Sequence, residues 1–216
     1  MTKEDKAFLI GCVLGDGSLR KPRHESGCSG IQISHCKQQR DYLMFKAARI
    51  NTMLYPSKPV KVRKFDNHGY EGYIYEKGHK YFRILRKWIY PKGTKTFSKL
   101  ILSKLTPEAI ALLYMDDGSL SFKKRDGIIH GREFTISTYL SKDENQLIID
   151  YLQEVWGIKM SNVLSKGKYR LRFGTKEGWK FIKLVKPYIV PSMFYKIDLK
   201  YTRGVIKDKY EAFLND

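Results

Sequence analysis

Residues 9–19 read LIGCVLGDGSL, and residues 110–120, which begin 101 positions later, read IALLYMDDGSL. Both segments are apolar runs that end in an acidic residue followed by Gly-Ser-Leu. A helix-length segment that recurs at a fixed offset indicates two divergent copies of one structural unit. We expect two such copies in one chain to pair around a pseudo-twofold axis, each contributing one half-site.

The duplication continues downstream of these two segments. The strand-like segment 31–34 resembles 134–137, and the helix-like segment 82–91 resembles 181–191. Each copy then supplies a lysine. Lys95 follows the motif acid Asp16 by 79 residues. Lys196 follows Asp117 by the same 79 residues, so the two copies predict two acid–lysine pairs of one kind.

The chain of 216 residues is strongly basic, with 41 basic and 22 acidic side chains and a formal net charge of +19. Such a charge repels itself and implies a polyanionic partner, which favours nucleic-acid binding. No apolar run approaches the roughly 20 residues of a membrane span, and the first residues, MTKEDKAF, do not resemble a signal peptide. We therefore expect no membrane partner and an intracellular protein, in the cytoplasm or an organelle matrix, that is not secreted.

The cysteines favour a reducing compartment. Cys12, Cys28 and Cys36 all lie in the first copy, and an odd number argues against a disulfide framework. A zinc site can be drawn from Cys28, Cys36, His24 and His35. Its spacing fits no finger or ribbon pattern, and the second copy has no counterpart, so we do not expect structural zinc.

The local patterns predict an α+β protein, because each copy reads helix–strands–helix–strands–helix rather than alternating βαβ. In the first copy the predicted helices and strands are 2–15, 31–35, 38–54, 60–65, 73–77 and 79–89. In the second copy they are 106–117, 134–138, 141–157, 169–173 and 179–185. Two of the helices begin with capping pairs, Thr2 with Asp5 and Ser141 with Glu144.

The duplication predicts a first repeat over residues 1–98, a linker over 99–105 and a second repeat over 106–216. Thr106 and Pro107 mark the second start, as a cap followed by a first-turn proline. The linker is not rich in Gly or Ser, so we expect the halves to pack together rather than to be loosely tethered.

The motif acids Asp16 and Asp117 are expected at the C-terminal ends of apolar helices, each followed by glycine. A carboxylate there faces the negative pole of the helix, which is unfavourable unless a cation binds. Carboxylate and carbonyl oxygens are hard ligands suited to a magnesium-like ion. The alternative is a simple helix cap with an Asp-Gly turn, and the second copy in register favours the metal. Gly11 and Gly15, four apart, would let two helices approach closely.

The segments LIGCVLGDG at 9–17 and IALLYMDDG at 110–118 resemble the two nine-residue signatures of single-chain LAGLIDADG homing endonucleases. The tripeptides KTF and YKI around Lys95 and Lys196 extend the resemblance. It implies two αββαββα repeats related by a pseudo-twofold axis, whose antiparallel sheets form a saddle on the DNA major groove. It also implies that the last acid of each motif binds a divalent metal, Mg²⁺ or Mn²⁺.

The second motif departs from the first at the residue before the motif acid. Asp116 stands where the first motif has the small residue Gly15. Gly15 and Asp116 therefore belong to the candidate metal site together with the motif acids Asp16 and Asp117. In the second copy, either Asp116 or Asp117 could be the ligand. The repeat register and Gly118 favour Asp117.

Lys95 and Lys196 are the candidates for stabilising charge at the scissile phosphate or ordering the attacking water. The alternative is a solvated surface lysine, which the equal spacing in the two copies disfavours. Five polar residues that follow the motifs could orient water, contact DNA or be structural: Gln32, Ser34, His35, Ser137 and Thr138.

Basic residues on or beside the predicted strands form the expected DNA-binding surface. With Gln32 they are Arg20, Lys21, Arg23, Lys61, Arg63, Lys64, Lys123, Lys124, Arg125, Arg132, Lys166, Lys168, Arg170 and Arg172. Arg170 and Arg172 are two apart and so point to one face of a strand, with Leu171 and Phe173 on the other. Arginine in a major groove can pair with guanine, and lysine near phosphates gives salt-dependent affinity.

These features predict a monomeric, divalent-metal-dependent endonuclease that hydrolyses phosphodiesters on both strands of a long, asymmetric double-stranded DNA target. The resemblance implies a double-strand break with short 3′ overhangs and a role in intron homing. One alternative is an intron-RNA maturase on the same fold, alone or as a second role. Another is a DNA-binding regulator on a degenerate copy of the fold. The presence of both Asp16 and Asp117 favours cleavage.

Overall fold

The structure is a computed structural model of the chain. It describes residues 1–22, 24, 27–125 and 128–197; over 122–125 and 128–131 only the backbone is described. By their internal contacts these residues form two compact units. The first unit consists of Met1–Asp116 with Val190–Met193, and the second of Asp117–Ile189 with the segment from Phe194 onward. The repeat boundaries expected from the duplication divide the chain at a different place, and they stay a prediction.

The chain runs through αββαββα twice. The first pass contains α1 (Lys3–Leu14), β1 (Ser18–Arg20), β2 (Ser29–Cys36), α2 (Arg40–Leu54), β3 (Val62–Asn67), β4 (Tyr70–His79) and α3 (Lys80–Ile89). A short helix, α4 (Lys99–Leu102), occupies the predicted linker. The second pass contains α5 (Pro107–Asp117), β5 (Gly118–Arg125), β6 (Ile128–Ile136), α6 (Lys142–Trp156), β7 (Ser161–Ser165), β8 (Lys168–Phe173) and α7 (Thr175–Val185). Short 3₁₀ helices lie at Lys37–Gln39, between β2 and α2, and at Lys186–Tyr188 and Pro191–Lys196, after α7.

Each unit contains one four-stranded antiparallel sheet. The strand order is β1-β2-β4-β3 in the first unit and β5-β6-β8-β7 in the second, so corresponding strands occupy corresponding places. The prediction of an α+β protein with two antiparallel sheets is confirmed.

The capping residues explain where two of the helices begin. The backbone N–H of Asp5 donates to Thr2 Oγ1 at 3.1 Å, and the N–H of Thr2 donates back to Asp5 Oδ2 at 2.8 Å. Ser141 and Glu144 form the same reciprocal pair at the start of α6. Gly157 ends α6 with φ of 63°, a left-handed conformation that favours glycine. These expected helix ends are confirmed.

Alternation along β2 determines which face of the first sheet is covered. Ile31, Ile33 and His35 are buried, whereas Gln32 and Ser34 on the opposite face are half-buried. The helices α2 and α3 pack on the sheet through β2 and β4. The second face of the sheet carries Gln32 and Ser34 and is the less buried of the two along β2.

The two motif helices pack closely within the first unit, where α1 meets α5. A Cβ on Gly11 would lie 2.9 Å from Ala109 Cα and 2.9 Å from Ala109 O. A Cβ on Gly15 would lie 2.0 Å from Asp116 Oδ2. The expectation that these two glycines permit a close approach is confirmed for both. Within the described residues, no helix is both long and apolar enough to cross a membrane.

Candidate active site

The first motif acid lies in the turn that joins α1 to β1. Helix α1 ends at Leu14 with Gly15 as its cap, so Asp16 follows immediately after the helix, as predicted. Its carboxylate is 39% exposed, and its backbone N–H donates to Asp116 Oδ2 at 2.9 Å. The acid is therefore held by its backbone, and its carboxylate is partly exposed to solvent.

Lys95 binds the same turn. Its Nζ donates to the carbonyl oxygens of Gly15 at 2.7 Å, Gly17 at 3.1 Å and Leu14 at 3.4 Å. The ammonium thereby neutralises the negative pole at the end of α1. The structure thus brings Lys95 beside Asp16, as the sequence predicts.

The second unit repeats this contact. The Nζ of Lys196 donates to the carbonyl of Gly118 at 2.9 Å, and Gly118 directly follows the motif acid Asp117. The carbonyl of Asp117 accepts from the backbone N–H of Ser137 at 3.0 Å. In both units, then, the predicted lysine binds the carbonyl of the glycine that follows the motif acid. This common contact explains why the acid and the lysine are equally spaced in the two copies.

Asp116 has a different environment from the motif acids. Its side chain is fully buried, and Lys46 Nζ donates to its two carboxylate oxygens at 2.6 and 2.8 Å. Sequence reasoning missed Lys46. The signal for it is spacing, since Lys46 lies four residues after Tyr42 and four before Ile50, and all three are fully buried on one face of α2.

His35 connects Lys46 to Asp16. Its ring is 1% exposed, its Nε2 lies 3.2 Å from Lys46 Nζ, and its Nδ1 lies 3.4 Å from Asp16 Oδ2 and 3.1 Å from Gln39 Oε1. An ammonium can only donate, so Nε2 accepts and the proton of the neutral ring is on Nδ1. In this tautomer His35 donates towards Gln39 and Asp16. His35, a candidate for orienting water, lies in the site.

Three of these residues have the chemistry of a metal site, because Asp16, His35 and Asp116 offer ligand atoms within 4.8 Å of one another. A divalent ion placed on Asp116 would have to displace the ammonium of Lys46. The group contains two carboxylates and one ammonium, so one negative charge remains to attract a cation. The exposed carboxylate of Asp16 therefore fits a divalent ion, whereas Asp116, a candidate from the sequence, does not. The carbonyl of Gly15, another candidate, accepts from Lys95.

The surroundings of Lys46 are fully buried. Burial, with Asp116 nearby, raises the pKa of the Tyr42 phenol well above its ordinary value, and Lys46 Nζ lies 4.2 Å from the centre of the Tyr42 ring. Burial also raises the pKa of the Cys12 thiol to about 12. Both groups are neutral at physiological pH, so neither is a nucleophile for the reaction.

In the first unit some of the expected DNA-binding residues pair with acids of β4. Arg20 contacts Glu76 at 2.5 Å and donates to Gln32 Oε1 at 2.8 Å, and Arg63 also pairs with Glu76. Arg20, Lys21, Lys61, Arg63 and Lys64 are all exposed. Arg23 lies outside the described residues. Such exposed ion pairs are weak and can be exchanged for phosphate contacts.

In the second unit the expected residues gather around the β7–β8 turn. Lys166, Lys168 and Arg170 line a cleft of about 300 Å³, together with Ser137, Tyr139, Ser165 and Tyr169. Arg170 and Arg172 are half-buried while Leu171 and Phe173 are fully buried, so the predicted alternation is confirmed.

Four of the expected DNA-binding residues cannot be placed on an exposed surface: one is buried, and the side chains of the other three are not described. Arg132 is only 2% exposed, because β6 turns it inward, and in this structure it offers no surface to DNA. Lys123, Lys124 and Arg125 lie on β5, where the backbone alone is described.

The sequence matches the LAGLIDADG DNA endonuclease family over residues 6–181. The protein RecA of Mycobacterium shimoidei is 28% identical over 198 residues, which cover 88% of this chain and 45% of that protein. The Probable intron-encoded DNA endonuclease 3 of Mycosarcoma maydis is 31% identical over 127 residues, which cover 56% of this chain and 89% of that protein. The chain thus spans about half the length of this RecA protein and of several others like it.

Solved structures share the fold. The homing endonuclease I-WcaI bound to its DNA recognition sequence aligns with a TM-score of 0.76 at 22% identity, covering 91% of this chain and 87% of that one. I-SmaMI bound to uncleaved DNA target in the presence of calcium ions aligns with a TM-score of 0.57 at 12% identity, covering 100% of this chain and 98% of that one. The two motifs, the paired αββαββα order and the family match over residues 6–181 lead to one conclusion: this chain belongs to the LAGLIDADG DNA endonuclease family.

Proposed function

We propose that this chain is a site-specific homing endonuclease that makes a divalent-metal-dependent double-strand break in a long, asymmetric DNA target. The observation that carries the proposal is the repeated contact of a lysine with the glycine after each motif acid, Lys95 with Gly17 and Lys196 with Gly118. A lysine is thereby held beside a motif acid in each unit. Two acid–lysine pairs would supply one pair for each strand of a duplex.

In the proposed reaction Asp16 and Asp117 would each serve as a ligand of a divalent ion, Mg²⁺ or Mn²⁺. When bound, such an ion would supply an activated water and neutralise charge that develops on the phosphate. The exposed carboxylate of Asp16 supports its part in this role. Metal ions accompany DNA in two solved relatives of this fold, I-SmaMI with calcium and a variant of I-DmoI with manganese.

The lysines act on the same turns as the acids. Lys95 holds the end of α1 through three carbonyls, which fixes the turn that contains Asp16 and keeps a positive charge beside it. We propose that this charge stabilises the pentavalent phosphate or orders the attacking water. Lys196 acts in the same way beside Asp117.

We propose that duplex DNA binds the open sheet face that presents Gln32 and the cleft lined by Lys166, Lys168 and Arg170. The exposed cations on these surfaces support contacts with phosphates, and a net charge of +19 supports a strongly salt-dependent affinity. Because both acid–lysine pairs are in one chain, the protein binds and cleaves as a monomer. The intron-encoded endonuclease among its relatives supports an intron as the origin of the gene.

Selection from a randomised library of DNA duplexes tests the function without knowledge of the natural target. Duplexes cut in Mg²⁺ are captured by their new ends and sequenced, with EDTA as the metal-free control. We expect one asymmetric consensus with both strands cut, and sedimentation of one protein per duplex. Binding without scission in Mg²⁺ and Mn²⁺, or cleavage only by a dimer on a palindrome, would contradict the proposal.

A further inference from the structure

Lys46 joins two groups at the centre of a buried network. It is fully buried, and it donates to both oxygens of Asp116 and to Nε2 of His35. A buried ion pair often stabilises a fold no better than apolar side chains would, so stability alone does not account for it.

Both arms of the network end on Asp16. Through one arm, Asp116 Oδ2 accepts the backbone N–H of Asp16 at 2.9 Å. Through the other arm, Nδ1 of His35 lies 3.4 Å from Asp16 Oδ2. Lys46 binds Asp116, which holds the backbone of Asp16, and His35, which contacts its carboxylate. It therefore restricts both the position and the orientation of Asp16.

The second unit has a neutral arrangement at the corresponding place. In the repeat, Thr138 corresponds to His35. Its hydroxyl donates to Asn145 Oδ1 at 2.6 Å. Asn145 in turn donates to Asn162 Oδ1 at 3.2 Å. The buried residues of α6 are Asn145, Ile148, Ile149 and Leu152, so no buried cation stands where α2 has Lys46.

We propose that Lys46 is a positioning residue for Asp16, and that one half-site of the enzyme depends on it while the other does not. It acts through Asp116, which anchors the turn of the motif acid, and through His35, whose tautomer it selects. The proposal rests on the proposed nuclease function, because it assigns Asp16 to the scission of one of the two strands.

The test is the variant Lys46→Met, assayed on the selected target with each strand labelled separately. Single-turnover scission of one strand should fall by about 10- to 100-fold, since a misplacement of about 1 Å in a reacting group has effects of this size. The other strand and the affinity for DNA without metal should change by less than about twofold, within the range expected of a distant site. Equal slowing of both strands, or no slowing, would overturn the proposal.

A matched control is available on the same two helices. Arg49 of α2 pairs with Glu108 of α5, and this pair is partly exposed and has no contact with Asp16 among those described. Arg49→Met removes a helix–helix ion pair of the same type. It should leave the ratio of the two strand rates unchanged. A strand bias equal to that of Lys46→Met would show that any loosening of α2 from α5 is sufficient, and would overturn the proposal.

Removal of Lys46 leaves the carboxylate of Asp116 buried without its ammonium partner, which destabilises the fold. The double variant Lys46→Met/Asp116→Asn removes that charge. It should fold and still cut one strand slowly, because His35 has lost the group that selects its tautomer. Full recovery of both strand rates would mean that charge balance alone matters, against the proposal.

Nitrogen-15 NMR of the metal-free protein gives a readout that does not depend on cleavage. His35 should carry its proton on Nδ1 in the wild type, and a mixture of tautomers should appear in the double variant. A tautomer unchanged in the double variant would overturn the proposal. If the wild type cuts no DNA at all, the nuclease function fails, and this spectrum still decides whether Lys46 controls His35.

Discussion

Gly11→Ala tests the close packing of the motif helices. The new Cβ would lie 2.9 Å from both Ala109 Cα and Ala109 O, and 3.1 Å from Leu112 Cδ1. Two of these atoms are backbone, so they cannot rotate away, and α1 must move from α5. Overpacking of this kind costs about 1–3 kcal/mol, and the backbone contacts favour the upper end of that range.

Alanine also favours a helix over glycine by about 1 kcal/mol, which offsets part of the cost. We therefore expect Gly11→Ala to lower the free energy of unfolding by about 2 kcal/mol, out of the roughly 5–15 kcal/mol that is usual for a folded protein. Urea denaturation followed by circular dichroism measures the change.

A second variant identifies the source of the strain. Ala109→Gly removes a side-chain methyl but leaves the Cα and O atoms that meet the new Cβ. The double variant Gly11→Ala/Ala109→Gly should therefore recover none of the lost stability. A Gly11→Ala protein as stable as the wild type, or full recovery in the double variant, would refute the reasoning about backbone contact.

Three further outcomes follow from the site. Asp116→Asn should lower the melting temperature more than Asp117→Asn, because it leaves Lys46 buried without a carboxylate, and thermal unfolding compares the two. Lys95→Met and Lys196→Met should each slow cleavage by about tenfold or more, because each lysine donates to the carbonyl of the glycine that follows a motif acid; single-turnover assays measure this effect. Iodoacetamide at pH 8 should leave Cys12 unmodified until the protein unfolds, because its pKa of about 12 keeps it a buried thiol; mass spectrometry locates the modified cysteine.

Features that repeat locally in the sequence were predictable. The capping pairs Thr2–Asp5 and Ser141–Glu144 determine where two helices begin, and both were readable from residue type and spacing. The offset from Asp16 to Lys95 was readable only because a second copy repeats it. Duplication converts one ambiguous pattern into two observations in register, which is why the fold and the acid–lysine pairs could be predicted together.

Features that depend on tertiary contacts were not predictable. β1, β5 and β7 are short or rich in serine and lysine, so pairing with a neighbouring strand, rather than β propensity, makes them strands. The role of Asp116 was open, because only the fold brings Lys46 to it across 70 residues. The burial of Arg132 depends on how β6 packs, and a charged residue gives no sign of that in sequence.

Cleavage of the selected target by Asp16→Asn and by Asp117→Asn tests the central claim most directly, namely that each unit supplies one acid to a two-strand nuclease. Each variant keeps the size of the side chain and removes its charge. In Mg²⁺ we expect neither variant to make a double-strand break, while gel shifts show that both still bind the target. Full double-strand cleavage by either variant would remove that acid from the active site and contradict the account.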